Sequence, residues 1–370
     1  MKLALDLTAL CRRHTGMEYY ALNLSRTLLE NGSADEFHLF FRREIHPELL
    51  PFADRAVLHL SPFDAQMAAE QAWIPYMERK IQADLIHFPA FPPGLLSKTP
   101  KVATVFDSTL WRQTDRLSWK AKTYFAPLAN RALKNSRKIL TISQNAKAEI
   151  AVAAKVPEEK IAVSYLAPDP LFAKPVMQES KQAVRAKYAL PERFILSVAT
   201  LEPRKNLTGL LNAFARLVEK EPEARLVLAG RLAWGKDPVL KRISELKLKE
   251  RTRVLGYVPK EDLPALYALA DFLAFPSFYE GFGLPVLEAQ AVGTSVLCSN
   301  TSSLPEVAGT SAFFVDPQVE ESVVEGLKKL WCDSALKKDL IQKGQKNVAR
   351  FSWRQTAKAT RTIYEEALNE

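Results

Sequence analysis

The sequence predicts an α/β protein made of two Rossmann-like domains, and three observations carry that expectation. Short apolar runs of strand character alternate with longer stretches of helical period from one end of the chain to the other. The 370 residues exceed what a single core commonly supports. A proline-rich, charged stretch between Ala167 and Glu192 interrupts the alternation near the middle. A (β/α)8 barrel is the structural rival, but that interruption breaks the rhythm a barrel would keep.

Six strands are expected in the first half: Lys2–Leu7, His38–Phe41, Leu85–Phe88, Val102–Phe106, Ile139–Ser143 and Ile161–Tyr165. Six more are expected in the second: Phe194–Ala199, Arg225–Ala229, Arg253–Tyr257, Phe272–Phe275, Ser295–Cys298 and Phe313–Val315. Helical period marks Tyr19–Leu29, Ser118–Leu133, Leu207–Glu219 and Leu263–Leu269 between them. This spacing implies parallel sheets covered by helices on both faces. In Ala167-Pro-Asp-Pro-Leu-Phe-Ala-Lys-Pro175 repeated prolines disfavour helix and stiffen the chain, which predicts a linker. The expected domains are therefore residues 1–170 and 175–350, with an amphipathic helix over 351–370.

Composition narrows the setting. Hydrophobic residues make up 47% and charged residues 25%, an ordinary balance for a soluble globular chain. No apolar run reaches the roughly 18 residues that span a bilayer. The start, Met1-Lys-Leu-Ala-Leu-Asp6, turns acidic too soon for a signal peptide. Cys11, Cys298 and Cys332 are scattered and odd in number, which fits a reducing, cytoplasmic compartment better than a disulfide framework.

A net charge of +9 calls for an acidic partner. The densest basic stretch, residues 111–138, carries Arg112, Arg116, Lys120, Lys122, Arg131, Lys134, Arg137 and Lys138 among Trp111, Trp119, Tyr124 and Phe125. Such a segment suits peripheral contact with an anionic membrane, at the inner face. It equally suits a solvated helix face whose aromatics lie in the core. Nucleic acid is a poorer partner, because no recognised nucleic-acid module accompanies the charge.

The most informative segment is Ser277-Phe-Tyr-Glu280-Gly-Phe-Gly-Leu284-Pro-Val-Leu-Glu288-Ala-Gln-Ala. It follows the apolar run Phe272–Phe275, so it reads as a strand, a glycine-containing loop and a helix start. Glycines let backbone approach a ligand, and free N–H groups at a helix start favour negative charge. Glu280 and Glu288 make sense if the ligand also carries hydroxyls, which donate to carboxylates. A ligand with both diphosphate and polyol groups is a nucleotide sugar. A second segment, Glu202-Pro-Arg-Lys-Asn206, follows another expected strand and puts Arg204 and Lys205 at its carboxyl end. There the planar fork of Arg and the point charge of Lys suit a diphosphate. The chain has no D-x-D pair and no clustered His, Cys and Asp set for a metal.

With Gly256-Tyr257-Val258 and Ser303-Leu-Pro-Glu-Val-Ala-Gly309, these segments stand in the order found in retaining glycosyltransferases of family 4. The chain resembles that family over nearly its whole length. The resemblance implies a GT-B fold: two Rossmann-like domains facing a cleft, with the C-terminal helix crossing back to the first. The first domain would bind the acceptor, a saccharide or lipid-linked saccharide, and the second the nucleotide-sugar donor. Glu288 would bind the ribose hydroxyls, Glu280 the donor sugar, and Arg204 and Lys205 the diphosphate. Backbone near Tyr257 and Val258 would meet the base. Amides of Phe282, Gly283 and Leu284 would meet the sugar and phosphates, and a loop holding Gly16, in Arg13-His14-Thr-Gly16-Met, the diphosphate.

Two departures from the family pattern stand out. Val102-Ala-Thr-Val-Phe-Asp107 resembles a family strand that commonly ends in His-Asp, but Phe106 replaces the His. Asp107 is then a candidate to hold the acceptor hydroxyl, or equally a cap on the next turn. His87, at another strand end, reads as structural. Many relatives also carry an extra Arg shortly before the Lys, where this chain has Ala199-Thr200-Leu201. The Glu-Pro-Arg-Lys-Asn variant resembles bacterial mannosyl- and rhamnosyltransferases of surface-polysaccharide assembly. The expected donor is thus GDP-mannose or a UDP-hexose, with no cofactor and no metal. A nucleotide-sugar epimerase, an α-glucan phosphorylase and a non-catalytic nucleotide-sugar-binding protein are the alternative readings.

Overall fold

The computed structural model describes residues 1–10, 16–32, 34–90, 94–112, 126–231 and 238–369. The chain divides into two compact units, Met1–Leu166 with Ser352–Glu370, and Ala167–Phe351. The first holds β1 (Lys2–Asp6), β2 (Glu36–Arg42), β3 (Ala56–Ser61), β4 (Leu85–Phe88), β5 (Lys101–Thr104), β6 (Lys138–Thr141) and β7 (Ile161–Val163). The second holds β8 (Ile195–Val198), β9 (Leu226–Ala229), β10 (Thr252–Gly256), β11 (Phe272–Phe275), β12 (Val296–Ser299) and β13 (Phe313–Val315). Every strand pair is parallel, in the orders β3-β2-β1-β4-β5-β6-β7 and β10-β9-β8-β11-β12-β13. Each order reverses direction once, between β1 and β4 and between β8 and β11, the topological switch point where such sheets bind ligands.

β3 was not among the twelve expected strands. It lies at a sheet edge, paired with β2, and only its two end residues are buried. A half-solvated edge strand lacks the continuous apolar signature of strands buried on both faces, such as β9 and β11. The predicted helix over 118–133 appears as Ala126–Lys134, and residues 118–125 lie outside those described. So do 113–125 of the basic-aromatic stretch. Within the described part, the Trp111 indole donates to Asn130 Oδ1 at 2.8 Å and packs on the core.

In the second unit the sheet is covered on both faces. The helix Leu207–Lys220 buries Leu207, Leu210, Leu211, Phe214 and Leu217, a stripe at helical period, together with the helix Glu320–Cys332. On the other face Phe172, Tyr267, Val286, Ala289 and Leu304 form a second cluster. Phe172 corrects the linker expectation. The segment from Ala167 folds into a short 3-10 turn, Pro170–Ala173, capped by Asp169, and sends its ring against Tyr267. The prolines stiffen the segment, but Phe172 anchors it.

The C-terminal helix, Trp353–Asn369, packs on the first unit. Trp353 stands edge-on to Tyr19 at 5.6 Å, Thr356 Oγ1 donates to the Tyr165 carbonyl at 2.6 Å, and Tyr364 is fully buried. Tyr364 Oη lies 2.7 Å from His87 Nδ1, and His87 Nε2 lies 2.8 Å from Thr104 Oγ1. Thr104 in turn meets the Tyr20 hydroxyl at 3.2 Å. Burial pushes the His87 imidazole down to about 3, so it is neutral near pH 7.

Candidate active site

The strand order of the second sheet sets the site. β8 and β11 are neighbours at its switch point, so the loops leaving their carboxyl ends meet. After β8 the chain makes a short 3-10 turn, Pro203–Lys205, with Pro203 pre-setting its first position. Asn206 then takes a left-handed conformation, φ +53°, and starts the helix Leu207–Lys220. Its side-chain amide donates to the Pro317 carbonyl at 3.0 Å, which pins the turn from beneath. After β11 the loop carrying Glu280 returns alongside, and the Phe278 N–H donates to the Arg204 carbonyl at 2.8 Å.

Four charged side chains converge there. Lys205 Nζ donates to both Glu280 oxygens, at 2.6 and 2.7 Å. Arg204 Nη1 reaches Glu280 Oε2 at 3.4 Å, and Arg204 Nε donates to Glu202 Oε2 at 2.9 Å. Lys205 and Glu280 are both largely buried. Burial pulls the Lys205 ammonium below its ordinary range, with Glu280 opposing that shift. The cluster is thus two cations and two carboxylates, held by each other and poised beside a helix start.

That helix is Leu284–Ala291, whose first-turn N–H groups have no intrahelical acceptor. Gly283 precedes it at φ +107°, a conformation L side chains rarely adopt. A Cβ there would also come within 2.6 Å of Leu304 Cδ2. Phe282 is buried edge-on to Phe351, with ring centroids 5.8 Å apart. Glu288, on the same helix, accepts a hydrogen bond from the buried Tyr267 hydroxyl at 2.8 Å. Burial, aided by the charge of Asp169, pushes its carboxyl up to about 7 despite that hydrogen bond.

Of the other predicted residues, Tyr257 is 60% exposed just past β10, and the Arg231 guanidinium stacks over its ring at 4.9 Å. Val258 beside it is buried. In the first unit, Gly16 is the first residue of the helix Gly16–Glu30 rather than part of a longer loop, and Arg13, His14 and Thr15 lie outside the described residues. Asp107 stands past the end of β5 and accepts from the Thr109 N–H at 2.9 Å, so one of its oxygens caps the helix Thr109–Arg112. Phe106 is half-buried, edge-on to Tyr20. His87 is tied into the buried hydroxyl network above.

Sequence reasoning missed a third loop, the one after β12. Ser302, at φ +54°, accepts from the Glu280 N–H at 3.1 Å. Ser303 Oγ donates to the carbonyls of Glu280 and Phe282, at 2.9 and 2.8 Å. Ser299 Oγ donates to the Ser277 carbonyl at 2.6 Å. These hydroxyls fix the backbone that aims Glu280. The signal was present, since Ser303 opens the Ser303–Gly309 motif, but a serine at a strand end announces no partner.

Comparison with known proteins agrees with this geometry. A family model described as glycosyl transferases group 1 matches residues 180–347, and one described as Glycosyltransferase Family 4 matches residues 14–170. An Escherichia coli protein, O-antigen chain mannosyltransferase B, is 30% identical over 378 residues, spanning 95% of this chain and 96% of its own length. The chain belongs to glycosyltransferase family 4. This family 4 glycosyltransferase is also 33% identical over 223 residues to the Escherichia coli serotype-specific mannosyltransferase WbdA, covering 59% of this chain and 27% of that larger protein. The fold matches Anabaena HepE, solved with UDP and glucose, at a TM-score of 0.76 and 17% identity, over 99% of this chain and 100% of the other. The architecture is therefore GT-B, and the protein is a nucleotide-sugar-dependent hexosyltransferase. Among the described residues no helix is long and apolar enough to cross a membrane.

Proposed function

We propose that the enzyme transfers mannose from GDP-mannose to an acceptor hydroxyl, with retention of anomeric configuration and without a metal, in the assembly of a cell-surface polysaccharide or glycolipid. A UDP-hexose is the alternative donor. The observation that carries this reading is the Lys205–Glu280–Arg204 cluster at the β8/β11 switch point, one helix start away from Glu288. Support for mannose comes from the two Escherichia coli relatives, both of them mannosyltransferases by name.

On this reading, residues 175–350 bind the donor. Arg204, Lys205 and the amides of Gly283 and Leu284 receive the diphosphate. Glu280, already fixed by Lys205, accepts hydrogen bonds from the sugar hydroxyls. Glu288 keeps one oxygen for the ribose while Tyr267 occupies the other. Backbone at Tyr257 and Val258 meets the base. Residues 1–170 bind the saccharide or lipid-linked saccharide acceptor, with the second oxygen of Asp107 offered to its hydroxyl, and Gly16 presents helix-start amides to the donor diphosphate. Residues 111–138 would touch an anionic membrane at the cytoplasmic face.

In the reaction the bond between the anomeric carbon and the phosphate oxygen breaks as the acceptor oxygen bonds to that carbon from the same face. The acceptor proton passes to the departing diphosphate. Lys205 and Arg204 lower the cost of negative charge on that leaving group, a preorganised electrostatic contribution of about 3–4 kcal/mol per donor. The test is a thermal-shift and transfer panel of GDP-, UDP-, ADP- and dTDP-sugars, with and without EDTA, followed by NMR of the product's anomeric proton. GDP-mannose should stabilise most, EDTA should change nothing, and the product should keep the α configuration. An inverted product, or turnover that needs a divalent ion, overturns the mechanism.

A further inference from the structure

The second unit also holds a cavity that lies outside the cluster just described. It measures about 610 Å³ and is lined by Asn206, Thr208, Asn212, Phe278, Gln318 and Glu320, with Pro317 and Val323 at its floor. Thr208 and Asn212 lie on the helix Leu207–Lys220, and Glu320 begins the helix Glu320–Cys332 that packs against it. Phe278 comes from the loop after β11 and is 43% exposed.

The lining selects a class of ligand. A chain with a net charge of +9 places no Lys or Arg in this wall and one carboxylate, so the cavity does not suit an anion. Three carboxamides and a hydroxyl are too polar for a lipid or an apolar helix. A carboxamide such as that of Gln318 donates and accepts at once, which matches neighbouring hydroxyl groups. Asn212 is already aimed, its Oδ1 accepting from Arg242 Nε at 2.7 Å and its Nδ2 donating to Glu320 Oε2 at 3.3 Å. Among the described residues the Thr208 hydroxyl and the Gln318 carboxamide make no hydrogen bond to protein, and so are free to serve a ligand. An exposed ring set among such groups offers a flat apolar platform for the C–H face of a pyranose.

We propose that this cavity is a second, non-catalytic site for a neutral glycan. It shares a wall with the charged cluster, since Asn206 follows Lys205 and the Phe278 N–H is bonded to the Arg204 carbonyl. A glycan seated there stays within one loop's thickness of Lys205, and the site holds chain rather than reacting it. The proposal goes beyond donor binding and stands or falls separately.

The test is saturation-transfer NMR and calorimetry with mannotriose and maltotriose, on the full chain, alone and with saturating GDP or UDP. The neutral trisaccharides should bind with or without nucleotide. Phe278→Ala and Gln318→Ala should each weaken binding about fivefold, the loss of one contact. Thr208→Trp, which fills the cavity, should abolish it and leave nucleotide affinity and melting temperature unchanged. Absence of binding, competition by the nucleotide, indifference to all three variants, or tighter binding of an anionic glycan would each overturn the proposal. Failure of sugar transfer in the donor panel would leave these readouts intact.

Discussion

Near the carboxyl ends of β4 and β5, beside the switch point of the first sheet, His87, Thr104 and Tyr20 form a buried hydrogen-bonded chain with Tyr364 of the C-terminal helix. Outside β8 and β11, at the switch point of the second, stand Glu202, Arg204, Lys205 and Glu280. The topology is the same, and these two groups of side chains differ in chemistry. In the first unit an ionisable residue is buried, neutral and fully engaged. In the second, charges are gathered against a helix start, and Lys205, although burial lowers its ammonium below the ordinary range, stays paired with Glu280. Strand order chooses the place where a ligand can sit, and the residue types at the strand ends decide whether the place is used for binding or for cohesion.

Exchanging the behaviour of the two regions by mutation is the sharpest check. Lys205→Ala should lower kcat/KM for transfer at least a hundredfold, about 3 kcal/mol of transition-state stabilisation, while circular dichroism shows the fold intact. Near-normal turnover would remove Lys205 from the chemistry. His87→Ala should do the reverse. Two buried hydroxyls lose their partner, which costs stability on the order of 2–4 kcal/mol in denaturant melts, and nucleotide affinity stays unchanged. If His87→Ala instead spared stability and abolished transfer, the contrast between the units would fail.

The pH dependence separates the regions further. His87 has a folded value of about 3, far below an ordinary imidazole. Its neutral form therefore stabilises the first unit above about pH 6.5, and that stability is lost as pH falls toward 3. Glu288 behaves with the opposite sign. Its folded value of about 7 means that its stability contribution is complete below an ordinary carboxyl pKa and lost as pH rises through 7. If the ionised carboxylate grips the ribose, nucleotide affinity measured by calorimetry should rise about tenfold between pH 6 and pH 8. Glu288→Gln should flatten that profile. A flat profile in the unsubstituted enzyme would show that Glu288 does not hold the ribose as a carboxylate.

The smallest expected effect concerns the serine loop. Ser303→Ala removes a hydroxyl that serves two carbonyls, Glu280 and Phe282, and should reduce kcat by several-fold, about 1 kcal/mol. KM for the donor should rise with it, and Ser303→Thr should recover part of the loss. A purely structural role would lower the melting temperature and leave both kinetic constants alone.

Much of this was legible in the sequence because parallel strands buried on both faces are almost uniformly apolar. Runs such as Phe272–Phe275 and Leu226–Ala229 announce themselves. β3 did not, since an edge strand shows water one side and blurs the pattern. Arg204, Lys205, Glu280 and Glu288 were legible as candidates because charged residues in the segments that follow apolar strands need a reason to be there. The Lys205–Glu280 pairing spans 75 residues and follows from strand order, which no local pattern reports. Tyr267 and the serines after β12 were hidden for the same reason. The anchoring role of Phe172 was hidden because the prolines around it advertise only stiffness.

The returning C-terminal helix carries one more consequence. The first unit joins residues 1–166 to residues 352–370, its interior includes Tyr364, and that tyrosine leaves the ribosome after all of residues 167–351. Residues 167–351 can therefore consolidate while the sheet of residues 1–166 still waits for its covering helix. A nascent chain arrested before Trp353 should expose apolar surface from residues 1–166, a natural client for chaperones, and deletion of residues 352–370 should cripple that distant stretch of sequence.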